Sequence, residues 1–469
     1  MEGRLPPDDD DLFEWTDAPA RPPRRAREPG TGERDRPGTG ERERVDTGER
    51  ERVGTGERAR VGTGESQRVE PTTGERRRVR GDTGEFERSG RRPPPGRRAR
   101  RRDLPARVRR RQDLMIGAAA AVVIVLLIVL ISGGGGGGNE PSVGLKRLVG
   151  QTIVAKLGKD GPDQALVRRV RQGRVGGVIA FENDPQKLQA DVKQLQAAAS
   201  AGKNPPLLVM IDQEGGDVKR LPQGPPDVSP QDLGRSGDEG QARDQGETTG
   251  SYLRGVGVNV DLAPVLDVAQ PTTANSIKSR TFGSDPATVA KVGVSFAQGL
   301  QDGGAVATAK HFPGLGRATV STDDRPVSIA ATTAQLQSDL EPFKAAVAAG
   351  VDMVMVSTAS YPTLGSKKEA AFSPAIVRGL LRSQLGFDGV VITDDLEAPS
   401  VTGEVAPALV GASALGAGAD LLLYAEHVGA SDKAFASLVS EVKSGQLNRA
   451  FVQDAYDRIT TLKESPPGS

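Results

Sequence analysis

From about residue 144 onward, short runs of Val, Ile and Leu alternate with longer stretches of helical period. The runs are VGGVIAF (175–181), PLLVMID (206–212), VNVDLAPV (258–265), AVATAKHF (305–312), VDMVMVS (351–357), GVVITDD (389–395) and ADLLLY (419–424). They show little apolar–polar alternation, which is the pattern of strands buried on both faces. Between them, 185–201, 240–255, 285–303, 333–350, 374–385 and 404–416 read as helices. Strand then helix, repeated over about 320 residues, predicts a parallel α/β fold. Seven or eight such units favour a (β/α)8 TIM-type barrel over an open doubly wound sheet.

Upstream the pattern is different. Residues 114–132 read LMIGAAAAVVIVLLIVLIS, nineteen positions without a charge. At about 1.5 Å per residue such a helix nearly spans a hydrocarbon core of about 30 Å. A buried core helix is the alternative, but a segment with no polar face argues for one transmembrane helix. It begins too far into the chain for a typical cleavable signal. Arginines crowd 91–111 on its N-terminal side, and only Gly133 to Gly138 follow it. Positive residues stay inside, so the reading is a single-pass protein of a bacterial-type cell membrane, N-terminus cytoplasmic and barrel extracytoplasmic. The domains are then a tail (1–113), the span (114–132), a flexible Gly-rich linker (133–143) and the barrel (144–464).

The tail is rich in Gly, Pro, Arg and Glu and reads as disordered, with too few apolar residues to offset the entropy of ordering. Thr-Gly-Glu recurs at Thr31, Thr39, Thr47, Thr55 and Thr63, then at Thr73 and Thr83. A period of eight is too short for a solenoid. A solvated polyampholyte is one reading. A tail that docks a cytoplasmic partner, switched by threonine phosphorylation, is the other. Phe13 and Trp15, in an acidic patch, read either as a short docking motif or as a stray aromatic pair. The formal net charge of +1 averages these unlike parts and says little about partners. The arginines adjoin a membrane span and lack interleaved aromatics, so nucleic acid is not the expected partner. With no cysteine, disulfides, thiolate metal sites and cysteine nucleophiles are excluded.

Asp212, Lys310 with His311, and Asp394 fall at the C-terminal ends of predicted strands, the face where barrels gather catalytic groups. Charges at such positions are costly unless paired or functional. The segments IDQEGG (211–216), KSRTFGSDP (278–286), KHFPGLG (310–316) and VITDDLE (391–397) carry a resemblance to family 3 glycoside hydrolases. The similarity is to the compact bacterial β-N-acetylhexosaminidase, NagZ-type branch, and covers about 144–464. It implies hydrolysis of a β-linked terminal sugar with retention, on a carbohydrate substrate, without cofactor or metal. That route needs a carboxylate nucleophile and a proton donor for the leaving oxygen. By resemblance Asp394 is the nucleophile and Asp395 a structural acceptor. Asp212, Arg220, Arg280, Lys310 and His311 match the family's sugar contacts, charged groups that bind hydroxyls directionally, although a structural ion pair or a packed imidazole is the alternative for Lys310 and His311. Gly215 and Gly216 let the backbone pass close to the sugar or simply make a tight turn.

The sequence departs from the family where the acid/base histidine belongs. Leu315 replaces the second histidine of the usual KHFPGHG, and Asp323 stands where the loop histidine is expected. The chain has two histidines, His311 and His427, and neither fills that place. An aspartate serves as general acid only if its pKa rises from about 4 toward neutrality. Burial, Asp394 or the adjacent Asp324 would raise Asp323, whereas Arg317 and Arg325 would hold its anion. Asp217 also stands where many relatives carry Arg. The expectation is a membrane-anchored retaining β-glycosidase of the N-acetylhexosaminidase type, acting on terminal amino sugars of glycans or peptidoglycan fragments. The alternative is a barrel that binds glycan without cleaving it, as a wall sensor or tether.

Overall fold

A computed structural model describes residues 143–402 and 406–465. The tail and the apolar run at 114–132 lie outside them, as does the linker apart from Val143. Among the described residues no helix is long and apolar enough to cross a membrane.

The strands are β1 (Ile153–Lys156), β2 (Gly177–Ile179), β3 (Leu208–Ile211), β4 (Gln213–Gly215), β5 (Val218–Lys219), β6 (Val260–Asp261), β7 (Val306–Phe312), β8 (Met353–Val356), β9 (Val390–Thr393) and β10 (Leu422–Tyr424). β4 and β5 form a small antiparallel hairpin. The other eight make one parallel sheet in the order β10-β1-β2-β3-β6-β7-β8-β9. Its two edges meet through a parallel bridge between Ile392 and Leu421. Asp420 clasps that seam. Its N–H donates to the Val391 carbonyl at 2.8 Å, and its Oδ2 accepts from the Val391 N–H at 2.7 Å. Burial pushes the Asp420 carboxyl up, opposed by Arg382 at 2.6 Å and Arg458 at 2.8 Å. The result is a nearly closed barrel of the TIM type.

The apolar runs lack alternation because each strand packs on two sides. All of β7 is buried. Val306 joins the barrel interior with Val154, Ile179, Met210 and Met355, whereas Ala307, Ala309 and Phe312 pack in the cluster that includes outer-helix residues. The helices Pro185–Ala201 and Pro286–Asp302 begin with Pro at the first position behind capping Asp184 and Asp285, which fixes where they start. Thr332 and Gln335 form a capping box at Thr333–Ala348.

Several elements differ from the sequence reading. β1 was not among the expected strands, because its apolar run is only Ile153 to Ala155. The helices Leu145–Gln151, Gln164–Arg171, Ala430–Ser444 and Arg449–Glu464 were not expected either. Gln164–Arg171 carries three arginines and buries only Leu166, Arg169 and Val170. The helix expected at 374–385 is a π-helix, Ala375–Gln384, with the Leu385 N–H reaching the Leu380 carbonyl at 2.9 Å. The one expected from 404 runs Pro407–Ala417.

The first and last of these helices close the barrel at the N-terminal strand ends. Ile459 enters the interior cluster. Lys463 donates to Gln151 Oε1 at 2.7 Å and to the Gly176 carbonyl at 2.8 Å, just before β1 and β2. Burial drives this ammonium down to about 7. At the start of the last helix Arg449 donates to the Val143 carbonyl at 3.3 Å. The opposite face is left to the loops that follow the strands.

Candidate active site

Asp212 follows β3, and the hairpin β4–β5 returns from it. The turn needs glycine, since φ is +95° at Gly215 and +57° at Gly216. A Cβ on Gly215 would also lie 2.8 Å from Pro226 Cγ. Tight turn and close packing account for the pair.

Lys310, in β7, is 2% exposed and bridges two carboxylates, Asp212 Oδ1 at 2.8 Å and Glu214 Oε1 at 2.6 Å. Arg280 grips Glu214 with two bonds of 2.7 Å, and Arg220 lies 3.5 Å from Asp212. Burial alone would raise the Glu214 carboxyl, but Arg280 and Lys310 hold it at about 2. For Asp212 burial is likewise overcome, by Lys310 and then Arg220, and the group stays below the usual range. Lys310 is raised against its own burial by Asp212 and Glu214. Asp212, Glu214, Lys310 and Arg280 are therefore charged at neutral pH and hold one another in place. Asp212, its side chain 15% exposed, keeps an edge open to a ligand. Arg220 and Lys156 both lie over the ring of Phe181, at 5.1 and 5.0 Å from its centre.

The structure thus brings together Asp212, Arg220, Arg280 and Lys310, and adds Glu214. Glu214 lies within IDQEGG, and the sequence alone assigns it no role. A second acid in a buried motif, with a lysine and an arginine to match, was the available signal. Asp261 was also passed over. It is fully buried, its Oδ1 accepts from the Gln213 N–H at 3.0 Å, and burial drives its pKa well up.

His311 is buried, with Nδ1 at 2.7 Å from Oδ2 of the fully buried Asp267. The Leu315 N–H donates to Asp267 Oδ1 at 2.6 Å. Leu315 turns its side chain into the core. The backbone of this position serves the site and the side chain does not.

Asp394 follows β9 and is half-buried, its N–H bonded to the Val356 carbonyl at 2.9 Å and its Oδ1 accepting from the Asp395 N–H. Burial raises its carboxyl, the nearby His311 pulls it back, and Asp323 pushes it up again. Asp395 is buried and accepts from the N–H groups of Glu397 and Ala425 at 3.0 Å. Burial places it at about 7. This is the arrangement of a structural acceptor.

Asp323 is exposed, so burial cannot supply the rise considered for it. Its Oδ2 accepts from Ser321 Oγ at 3.1 Å. Its loop is tied down at Thr322, whose carbonyl accepts from the Ser400 N–H at 3.2 Å. Arg317 does not act on Asp323 as expected. It is committed to Asp339, at 2.6 and 3.1 Å. Asp324, Arg325 and Asp217 are exposed. The mouth therefore holds one fixed charged cradle around Lys310, and beside it an Asp394 that feels His311 on one hand and Asp323 on the other.

Comparison with known proteins bears on this site. Residues 145–462 match the family model described as the glycosyl hydrolase family 3 N terminal domain. A relative named Beta-hexosaminidase LpqI, from Mycobacterium tuberculosis, is 34% identical over 323 residues, 66% of this chain and 80% of that protein. A solved β-N-acetylhexosaminidase from Beutenbergia cavernae is 34% identical with a TM-score of 0.64, covering 69% of this chain and 99% of that one. A solved family 3 β-N-acetylglucosaminidase from Paenibacillus is 33% identical with a TM-score of 0.66, over 69% of this chain. The match spans 62% of the Paenibacillus chain.

Proposed function

Since the chain belongs to glycosyl hydrolase family 3 and is a glycoside hydrolase acting on O-glycosyl bonds, we propose that it removes terminal β-linked N-acetylhexosamine with retention. Its substrate is an amino-sugar glycan or peptidoglycan fragment. The observation that carries this reading is the placement of Asp394 at the barrel mouth beside the charged cradle of Asp212, Lys310, Glu214 and Arg280.

In this reading Asp212, Arg220 and Lys310 take hydroxyls of the terminal sugar. A misplaced hydroxyl would leave one of these charges unpaired, which gives selectivity. Asp394 attacks the anomeric carbon and forms the glycosyl-enzyme. Asp323 protonates the leaving oxygen and later activates water. Its electrostatic reach to Asp394 supports the pairing, whereas its exposure favours the glycan-binding alternative.

The test is release of sugar from aryl N-acetyl-β-glucosaminide, aryl β-glucoside and muropeptides by wild type and Asp394→Ala. An activated aryl group needs little protonation, so it is the most sensitive probe. Hydrolysis of the acetamido substrate, abolished in the variant, is expected. Binding of N-acetylglucosamine without hydrolysis of any of them would replace the reading by the glycan-binding one.

We also propose that the barrel is held outside a membrane by residues 114–132. The charge-free run and the arginines on one side of it support this. Protease added to intact cells should remove the barrel and spare an N-terminal tag. The opposite protection would refute the orientation.

A further inference from the structure

A cleft of about 490 Å³ lies between the helix Gln164–Arg171 and the start of the helix Ala430–Ser444, and no residue of the cradle lines it. Arg168, Arg169 and Arg174 face it, with the carboxylates Asp163 and Asp432. Asp163 is committed to its own helix, where Oδ1 caps the Leu166 N–H at 2.6 Å. Asp432 is exposed in the first turn of the other helix. Arg174 lies over the ring of Phe435, 5.3 Å from its centre.

Arg169 is the member that lacks its counterpart. It is 7% exposed, its Nη1 donates to the neutral Ser431 Oγ at 3.0 Å, and its buried Nε has no acceptor among the described residues. Burial pushes its pKa down, and Asp432 and Asp163, acting from beyond hydrogen-bond distance, recover only part of that loss. A guanidinium nevertheless stays charged. A buried charge without a counter-ion is costly, and an anion in the cleft would relieve the cost. The helix beginning at Ala430 points the same way. Its cap is Gly429, which lines the cleft, and no side chain caps its first N–H groups.

We propose that this cleft is a binding site for a phosphate group, free or carried on a larger molecule, with Arg169 as its buried anchor and Arg168 and the start of the Ala430–Ser444 helix beside it. The planar fork of a guanidinium matches two oxygens of an oxyanion, and a helix start favours negative charge. Three arginines against two carboxylates leave one positive charge for the incoming anion. The helix follows β10, the last strand of the barrel, and barrels that hold phosphate commonly place it after their last strands, at a helix N-terminus. The proposal does not rest on the hydrolase reading, since the cleft shares no residue with the cradle or with Asp394.

The test is calorimetric titration of inorganic phosphate into the full-length protein and into its Arg169→Met and Arg168→Ala variants at constant ionic strength. Saturable binding of one phosphate is expected, weakened at least about tenfold by Arg169→Met and about threefold by Arg168→Ala. Arg168 is exposed, so its variant keeps the test open even if Arg169→Met fails to fold. Glycerol phosphate, titrated in parallel, separates the two sources. Tighter binding than inorganic phosphate marks a phosphoryl group on a larger molecule, and equal or weaker binding marks the free ion; either supports the site. Acetate binding as tightly as phosphate would overturn the assignment to phosphate. No saturation below about 10 mM phosphate would overturn the site itself. So would an affinity unchanged in both variants, which would move the anion to the cations at the barrel mouth.

Discussion

Glu214 offers the most quantitative check of the cradle. It is 3% exposed and meets Lys310 at 2.6 Å and Arg280 at 2.7 Å. Its carboxyl is held at about 2 against an ordinary value of 4.5. That gap is worth about 3 kcal/mol of folding free energy. Because the folded-state pKa is depressed, the contribution is fully present above the unfolded value. It is lost as pH falls from about 4.5 toward 2. Glu214→Gln removes the anion, leaving Lys310 with Asp212 and Arg280 without its two-bonded partner. Breaking a buried pair in this way costs about 3–5 kcal/mol. Urea denaturation of wild type and variant at pH 7, 5, 4 and 3 measures the difference. It should be several kcal/mol at pH 7 and narrow steadily below pH 5, as wild type loses its advantage. A difference under about 1 kcal/mol at pH 7, or one that does not shrink on acidification, would refute the charged cradle.

Lys463, buried at the foot of the barrel with its pKa at about 7, predicts a slope of the same sign in a different window. The unfolded chain holds that proton up to about 10.5, so wild type should gain on Lys463→Met between pH 7 and 10, by up to about 1.4 kcal/mol per unit; parallel denaturation curves over that range would contradict the burial argument. Asp420→Asn should lower stability by about 3 kcal/mol at pH 7, since it strips one charge from between Arg382 and Arg458, and thermal or urea unfolding reads it directly. Asp323→Ala should slow substrates with poor leaving groups at least tenfold more than activated aryl glycosides, measured as kcat/KM ratios, if it is the proton donor. Equal effects on both classes would remove it from that role.

The strands were legible because burial on two sides writes a continuous apolar run. β1 escaped because three residues make no such run. The arginine-rich Gln164–Arg171 and the two C-terminal helices escaped because their apolar stripes are narrow. In the candidate site, Asp212, Lys310, His311 and Asp394 stand out in the sequence by position, at the ends of strands and within motifs. Their partners were not. Glu214 meets Arg280 across 66 positions and His311 meets Asp267 across 44, and no local pattern encodes such pairings. Arg317 shows the converse error. Its nearness to Asp323 in sequence suggested an ion pair, while the fold gives it to Asp339, 22 positions on. Charge proximity along a chain is a poor guide where loops fold back on a barrel.

The contact between Arg449 and Val143, and that between Lys463 and Gln151, have a practical side. They bring both ends of the folded chain to the foot of the barrel, away from the mouth. A surface, bead or fusion partner attached through either end would then hold the protein by its base, with the opening facing outward. The same adjacency makes this end a natural place to join the two ends and cut a new pair elsewhere.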